Sequence, residues 1–201
     1  RDALFEALKR REVYGTSGPR IALRFFGGFG LDSELCTNSE MVAQAYQEGV
    51  PMGSDLESPG FFSSQPTFLL QALQDPGSPD EPGAPLAHIQ IIKGWVDAQG
   101  VARRAVHTLA SGSGTFQTDP NTCTISGSGS SSLCATWTDE SFDADDHAFY
   151  YARVIAEPTC RWNAYLCGQL TGDARPAVCD QAEPPKVISE RAWSSPIWFT
   201  P

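Results

Sequence analysis

Two segments, Ala87–Val96 and Val101–Ala110, flank Asp97-Ala98-Gln99-Gly100, and that hairpin constrains the fold of this chain more than any other feature. Asp and Gly in a tight connection between runs rich in Ile and Val are hairpin chemistry, because glycine alone takes positive φ without steric cost. Further segments read as strands: Thr67–Gln74, Leu133–Thr138, Ala148–Glu157 and Val187–Phe199, with Pro196 pushing the last towards a sheet edge. From Arg20 the pattern alternates, with Ile21, Leu23 and Phe25 on one face and Arg20, Ala22 and Arg24 on the other. At least six strands, mostly sequential and joined by turns, predict a mainly β fold, an antiparallel β-sandwich.

Two short helices accompany it. Asp2 is placed to cap the first, whose Leu4, Phe5 and Leu8 make one apolar stripe. Glu6 precedes Arg10 in the favourable order for an ion pair, and Lys9 to Arg11 suit the negative C-terminal end. Thr16-Ser17-Gly18-Pro19 then turns the chain. Residues 39–48 predict a peripheral helix capped by Asn38 or Ser39, and Asp75–Pro85, with its prolines and glycines, a loop. The expected organisation is a helix and turn over 1–19 leading into a β-sandwich-like domain over 20–201. Ser111–Ser132 is Ser/Gly/Thr-rich and reads as a long surface excursion.

The formal net charge of −10, without a long basic run, disfavours nucleic acid and anionic membrane as partners. No apolar run approaches the ~20 residues that span a bilayer. The chain starts at Arg1, without initiator Met or signal peptide, and reads as a processed protein or a piece of a longer one. Six cysteines, Cys36, Cys123, Cys134, Cys160, Cys167 and Cys179, include no CxxC pair. An even number scattered through turn-rich sequence predicts disulfides and a periplasmic or secreted protein. Cys123 with Cys134, flanking the Ser/Gly stretch, is the favoured pair; Cys160 with Cys167 and Cys36 with Cys179 then follow.

Residue types for catalysis are sparse. His88 and His107 lie on the two arms of the hairpin and could approach each other across it, but no carboxylate cluster accompanies them at ligand spacing. Asp145 and His147 form an Asp-x-His pair beside Asp139, Glu140 and Asp143, without the ordered spacing of a calcium loop. A solvated acidic loop is the plainer reading. The Gly-Ser-Gly tracts lack the strand and helix of a nucleophile elbow, and Phe26-Gly27-Gly28-Phe29-Gly30 lacks the G-x-G-x-x-G order of a dinucleotide site. Five tryptophans, Trp95, Trp137, Trp162, Trp193 and Trp198, suit either core packing or a sugar-binding face.

Several stretches carry a resemblance. They are Arg1–Tyr14 with Thr16–Ile21, Gly49-Val50-Pro51-Met52-Gly53 with Asp55-Leu56, and Gln90-Ile91-Ile92-Lys93-Gly94-Trp95. Ala148–Val154, Cys160-Arg161-Trp162 and Glu190–Trp198 complete the set. Together they resemble the C-terminal portion of the bacterial "domain of unknown function 3604" family, which is similar to metal-dependent phosphoesterases of the polymerase-and-histidinol-phosphatase (PHP) type. The resemblance implies an upstream distorted (β/α) barrel in the same parent protein, holding the divalent metal and acting as this chain's partner. No stretch here matches the family's metal-ligand motifs, so no cofactor and no catalytic residue is expected in this chain. What remains is an active-site wall: Arg20 and Lys93 as cations for a phosphoester, with Thr16, Ser17 and Asp55 beside them as substrate-facing candidates. The alternative function is an extracellular module binding a glycan or calcium.

Overall fold

The computed structural model describes residues 1–57, 65–79 and 81–201. Asp80, inside the expected 75–85 loop, lies outside the described residues. In chain order the elements are α1 (Asp2–Lys9), β1 (Tyr14–Thr16), β2 (Ala22–Gly28), α2 (Met41–Glu48), β3 (Val50–Pro51), β4 (Asp55–Leu56) and β5 (Thr67–Leu73). The hairpin β6 (Leu86–Val96) and β7 (Ala102–Ser111) follows, then β8 (Gln117–Thr118), β9 (Ile125–Ser126), β10 (Ser132–Thr138) and β11 (His147–Ala156). β12 (Thr159–Cys160), α3 (Trp162–Gln169), β13 (Val187–Ile188), β14 (Arg191–Ser194) and β15 (Ile197–Phe199) complete the chain.

Two sheets face each other. The smaller runs β10–β5–β2–β3, all antiparallel. In the larger, β11 is central: β6 and then β7 lie on one side, and β14 and β15 share the other as one strand broken at Ser195-Pro196. Pro196 has no N–H for a ladder, so the predicted single strand splits there. β1 extends the sheet beyond β14, and β4 extends it beyond β15 by a parallel pairing, the one departure from the antiparallel expectation among the described strands.

Period-2 alternation builds the core. Ala148, Tyr150, Ala152, Val154 and Ala156 of β11 are all buried, against Phe25, Phe68 and Leu70 of the smaller sheet. A second cluster covers that sheet's outer face, where α2 sets Met41 and Ala45 over Phe26 and Leu69.

The hairpin forms as expected. Asp97 accepts hydrogen bonds from the Gln99 and Val101 amides, and Gly100 takes φ +75°. Several local expectations are corrected. Asp2 is the first residue of α1 rather than its cap, and Arg10 pairs with Glu12 instead of Glu6. α2 starts after Glu40, with Asn38 capping the preceding turn through Glu40 N. α3 is a third helix where two were expected: only its Ala164 is buried, so no core-facing stripe marks it in the sequence.

All six cysteines are paired, but as Cys36–Cys134, Cys123–Cys160 and Cys167–Cys179. The expected Cys123–Cys134, Cys160–Cys167 and Cys36–Cys179 bridges do not form. The register of β10 on β5 puts Cys134 on the face it shares with Leu69, under the 3-10 turn Leu35–Thr37. Cys123 sits in the β8–β9 turn, which is tied to the β11–β12 connection by a hydrogen bond from Thr118 to the Pro158 carbonyl at 2.7 Å. The excursion of 111–132 is thus pinned to β12, not to β10.

Candidate functional site

α1 is a helix without a core. None of its residues is buried, and Leu4, Phe5 and Leu8 are 72%, 63% and 64% exposed. Its C-terminal end is nevertheless fixed on the β domain. Arg11, at φ +62°, bonds Asp55 at 3.1 Å, and the Tyr46 hydroxyl donates to Glu12 at 2.5 Å. That bond to the Glu12 carboxylate, with partial burial, raises the Tyr46 pKa above its ordinary value. Gly53, at φ +88°, lies so close that a Cβ there would sit 2.1 Å from the Arg11 carbonyl oxygen. The stripe is held out from the domain at a defined place.

The five substrate-facing candidates do not converge. Arg20 sits at the Ala22 end of β2, its backbone N–H bonded to Asp75 at 2.7 Å. A bond from the Gly77 amide, and then that from Arg20, hold the Asp75 carboxyl below the usual carboxylate range. Thr16 pairs with Ala192 on the β1 edge, while Ser17 bonds Glu190 and both backbone groups of Arg191. Asp55 is at the other end of that edge, beside Trp198 and held by Arg11.

Lys93 is inside the molecule. Its side chain is 4% exposed, and Nζ meets Asp139, itself 0% exposed, at 2.5 Å. Tyr150 donates its hydroxyl to the same carboxylate at 2.7 Å, Ser141 Oγ donates at 2.8 Å, and Nζ lies 5.1 Å from the centre of the Trp95 ring. Burial pushes the Asp139 carboxyl up, but the bonds from Lys93, Tyr150 and Ser141 outweigh it and leave the carboxyl below its ordinary value. Burial and the Asp139 charge raise the Tyr150 pKa far above that of a free phenol. Asp139 also receives the Ser141 amide, so this cluster clamps the β10–β11 connection onto the core. Its groups are satisfied by one another, which leaves Lys93 no free donor face for an anion.

His88 and His107 do not meet. The register sets His88 opposite Ser111 and His107 opposite Ile91, and His107 stacks on Trp137 at 4.4 Å. Asp145 stays on the exposed β10–β11 connection while His147 opens β11, exposed and opposite Val96, and the described residues hold no group of three or more His, Cys, Asp or Glu able to share a metal.

The tryptophans divide. Trp137 packs against Phe68 and Trp95 against the core, whereas Trp193 and Trp198 lie on the outer face of the larger sheet. There, Trp198, Phe149, Gly94 and Arg104 stand side by side across four strands, β15, β11, β6 and β7. Gly94 makes room for the Phe149 ring to lie across it: a Cβ there would lie 2.3 Å from that ring. The result is a groove of about 450 Å³, walled by Phe149, Tyr151 and Trp198 over Ile92, with Arg104 and His147 at its margin. Sequence reasoning singled out Trp198 as one of five alternatives but missed Phe149, Tyr151 and Arg104. The available signal was that both alternating faces of β11 are apolar.

A family model described as protein of unknown function (DUF3604) matches residues 1–201. No curated protein and no solved structure matches the chain.

Proposed function

The chain belongs to the DUF3604 family over residues 1–201, and from that premise we propose that it is the C-terminal β domain of a secreted or periplasmic, PHP-like metal-dependent hydrolase. Its part is structural or substrate-shaping, with the metal and the chemistry on an upstream barrel. The observation that carries this reading is the uncovered stripe of α1. Helices shorter than about 12–15 residues are marginal in water, and most take their stability from packing an apolar face. α1 has eight residues and buries none of them. A partner surface over Leu4, Phe5 and Leu8 supplies what the domain itself does not, and the anchors at Arg11, Glu12 and Gly53 fix where that partner sits. Three disulfides favour an oxidising compartment.

Hydrogen exchange tests it. In the isolated chain the amides of residues 5–10 exchange at nearly unprotected rates; in the parent protein they are protected, and Phe5→Asp removes that protection along with hydrolase activity. Strong protection in the isolated monomer, or a Phe5→Asp parent with protection intact, sinks the docking role. A stoichiometric transition metal in the purified chain sinks the assignment of the metal to the barrel.

A further inference from the structure

No residue of α1 lines the groove on the outer sheet face, and we infer that it binds an acidic glycan, a chain of pyranose rings bearing carboxylates. The wall is a run of three neighbouring aromatic rings, Trp198 tilted 48° to Phe149. Phe149 meets Trp198 at 5.4 Å between ring centres and runs nearly parallel to Tyr151, 13° apart in plane at 6.4 Å. Trp198 is 40% exposed, so this wall is open to a ligand. A volume of about 450 Å³ is in the range of small-ligand sites, roughly 300–1,000 Å³.

The shape selects the ligand class. The groove lies on the open face of a sheet, so an occupant keeps one side in water. A wholly apolar ligand would leave much of its surface unburied there. An extended peptide adds to a sheet edge through backbone bonds. β11 and β6, which make the floor, are paired on both sides and have no such bonds to offer. A pyranose ring has a C–H face that packs flat on an aromatic ring by dispersion and a hydroxyl rim that stays hydrated.

Charge selects within the class. Arg104, opposite Gly94, makes no ion pair among the described residues, while its neighbour Arg103 is held by Asp97 at 2.9 Å. The carboxylate beside Trp198, Asp55, is engaged by Arg11. At a net charge of −10 the surface as a whole repels polyanions, so attraction must come from a local, unengaged guanidinium. The planar fork of Arg104 matches a carboxylate in two bonds.

The test titrates the intact 201-residue chain, by tryptophan fluorescence and calorimetry, with hexamers of galacturonate, glucuronate and mannuronate and with their neutral methyl esters. At least one acid hexamer binds and changes the fluorescence, and its ester binds about tenfold more weakly, the scale of one charge-assisted contact. Arg104→Gln removes that difference, and Trp198→Ala weakens both forms roughly fivefold while the urea midpoint stays that of wild type. The assignment is overturned if no acid hexamer binds at millimolar concentration, or if binding survives both substitutions. A concentration-dependent dimer that Trp198→Ala abolishes overturns it too, giving the face to a second copy. None of these outcomes depends on whether α1 docks, so failure here leaves the joint standing and the converse holds.

Discussion

Replacing Lys93 by Met should destabilise the chain and reverse the pH dependence of one buried carboxylate. Met keeps the length of the side chain and its packing on Trp95 but removes the ammonium 2.5 Å from Asp139. Asp139 is then a fully buried carboxylate with only Tyr150 and Ser141 donating to it. Removing one partner of a buried pair costs about 3–5 kcal/mol, because the other charge stays desolvated. In wild type the Asp139 pKa lies below its unfolded value. Its contribution is therefore present above pH ~4 and is lost as pH falls through the lower, folded pKa. In Lys93→Met the main opposing bond is gone, burial dominates, and the folded pKa rises above the unfolded one. The variant is then relatively stable below pH ~4 and loses stability as pH rises through the raised pKa. Urea unfolding of both proteins between pH 3.5 and 8 measures the gap, which should be widest at neutral pH and narrow in acid. Adding Asp139→Asn should recover about 2 kcal/mol at neutral pH, since no unpaired charge remains. A gap under 1 kcal/mol, or one independent of pH, would refute the clamp.

Other predictions follow from close contacts and loop lengths. Gly94→Ala forces the Phe149 ring aside, since its Cβ would lie 2.3 Å from that ring, and should cost about 1–3 kcal/mol in urea unfolding. Gly53→Ala meets both a positive φ and the Arg11 carbonyl, so it should release the α1–β1 connection, seen as faster cleavage after Arg10 or Arg11 by trypsin. Non-reducing peptide mapping should find Cys36–Cys134, Cys123–Cys160 and Cys167–Cys179. Removing each pair should cost in the order of their sequence separations of 98, 37 and 12 residues, about 4.7, 3.8 and 2.8 kcal/mol by loop entropy.

On sequence alone a docked C-terminal domain and a module binding a glycan or calcium are alternatives, the first marked by an uncovered apolar stripe on α1 and the second by a concave, aromatic or acidic site far from the N-terminus. The structure has the stripe and an aromatic groove, but the groove is not far from the N-terminal joint. They are linked through Asp55, which bonds Arg11 at the end of α1 and lies beside Trp198 in the ladder. A ligand in the groove would therefore lie close to the seam with whatever covers α1, which is where a substrate-shaping domain is useful.

Local patterns carried the β class, the long strands of both sheets, the β6–β7 hairpin, the stripe of α1 and the paired state of the cysteines, but not the short edge strands β1, β3 and β4. Each depends on neighbours within a few residues: side-chain alternation along β11, turn residues at Asp97–Gly100, helical spacing at Leu4, Phe5 and Leu8. Tertiary structure decided which cysteines meet, because pairing follows from strand register. A one-residue shift of β10 would move Cys134 from the α2 side to the core. It likewise decided the fate of Lys93. On a strand a lysine reads as solvent-facing, and only the arrival of Asp139 and Tyr150 from distant segments makes its burial tolerable. Both faces of β11 are apolar in the sequence, Ala148 and Tyr150 on one and Phe149 and Tyr151 on the other. Which becomes core and which becomes groove was settled when the smaller sheet packed Phe68 onto Tyr150 and left Phe149 to lie over Gly94.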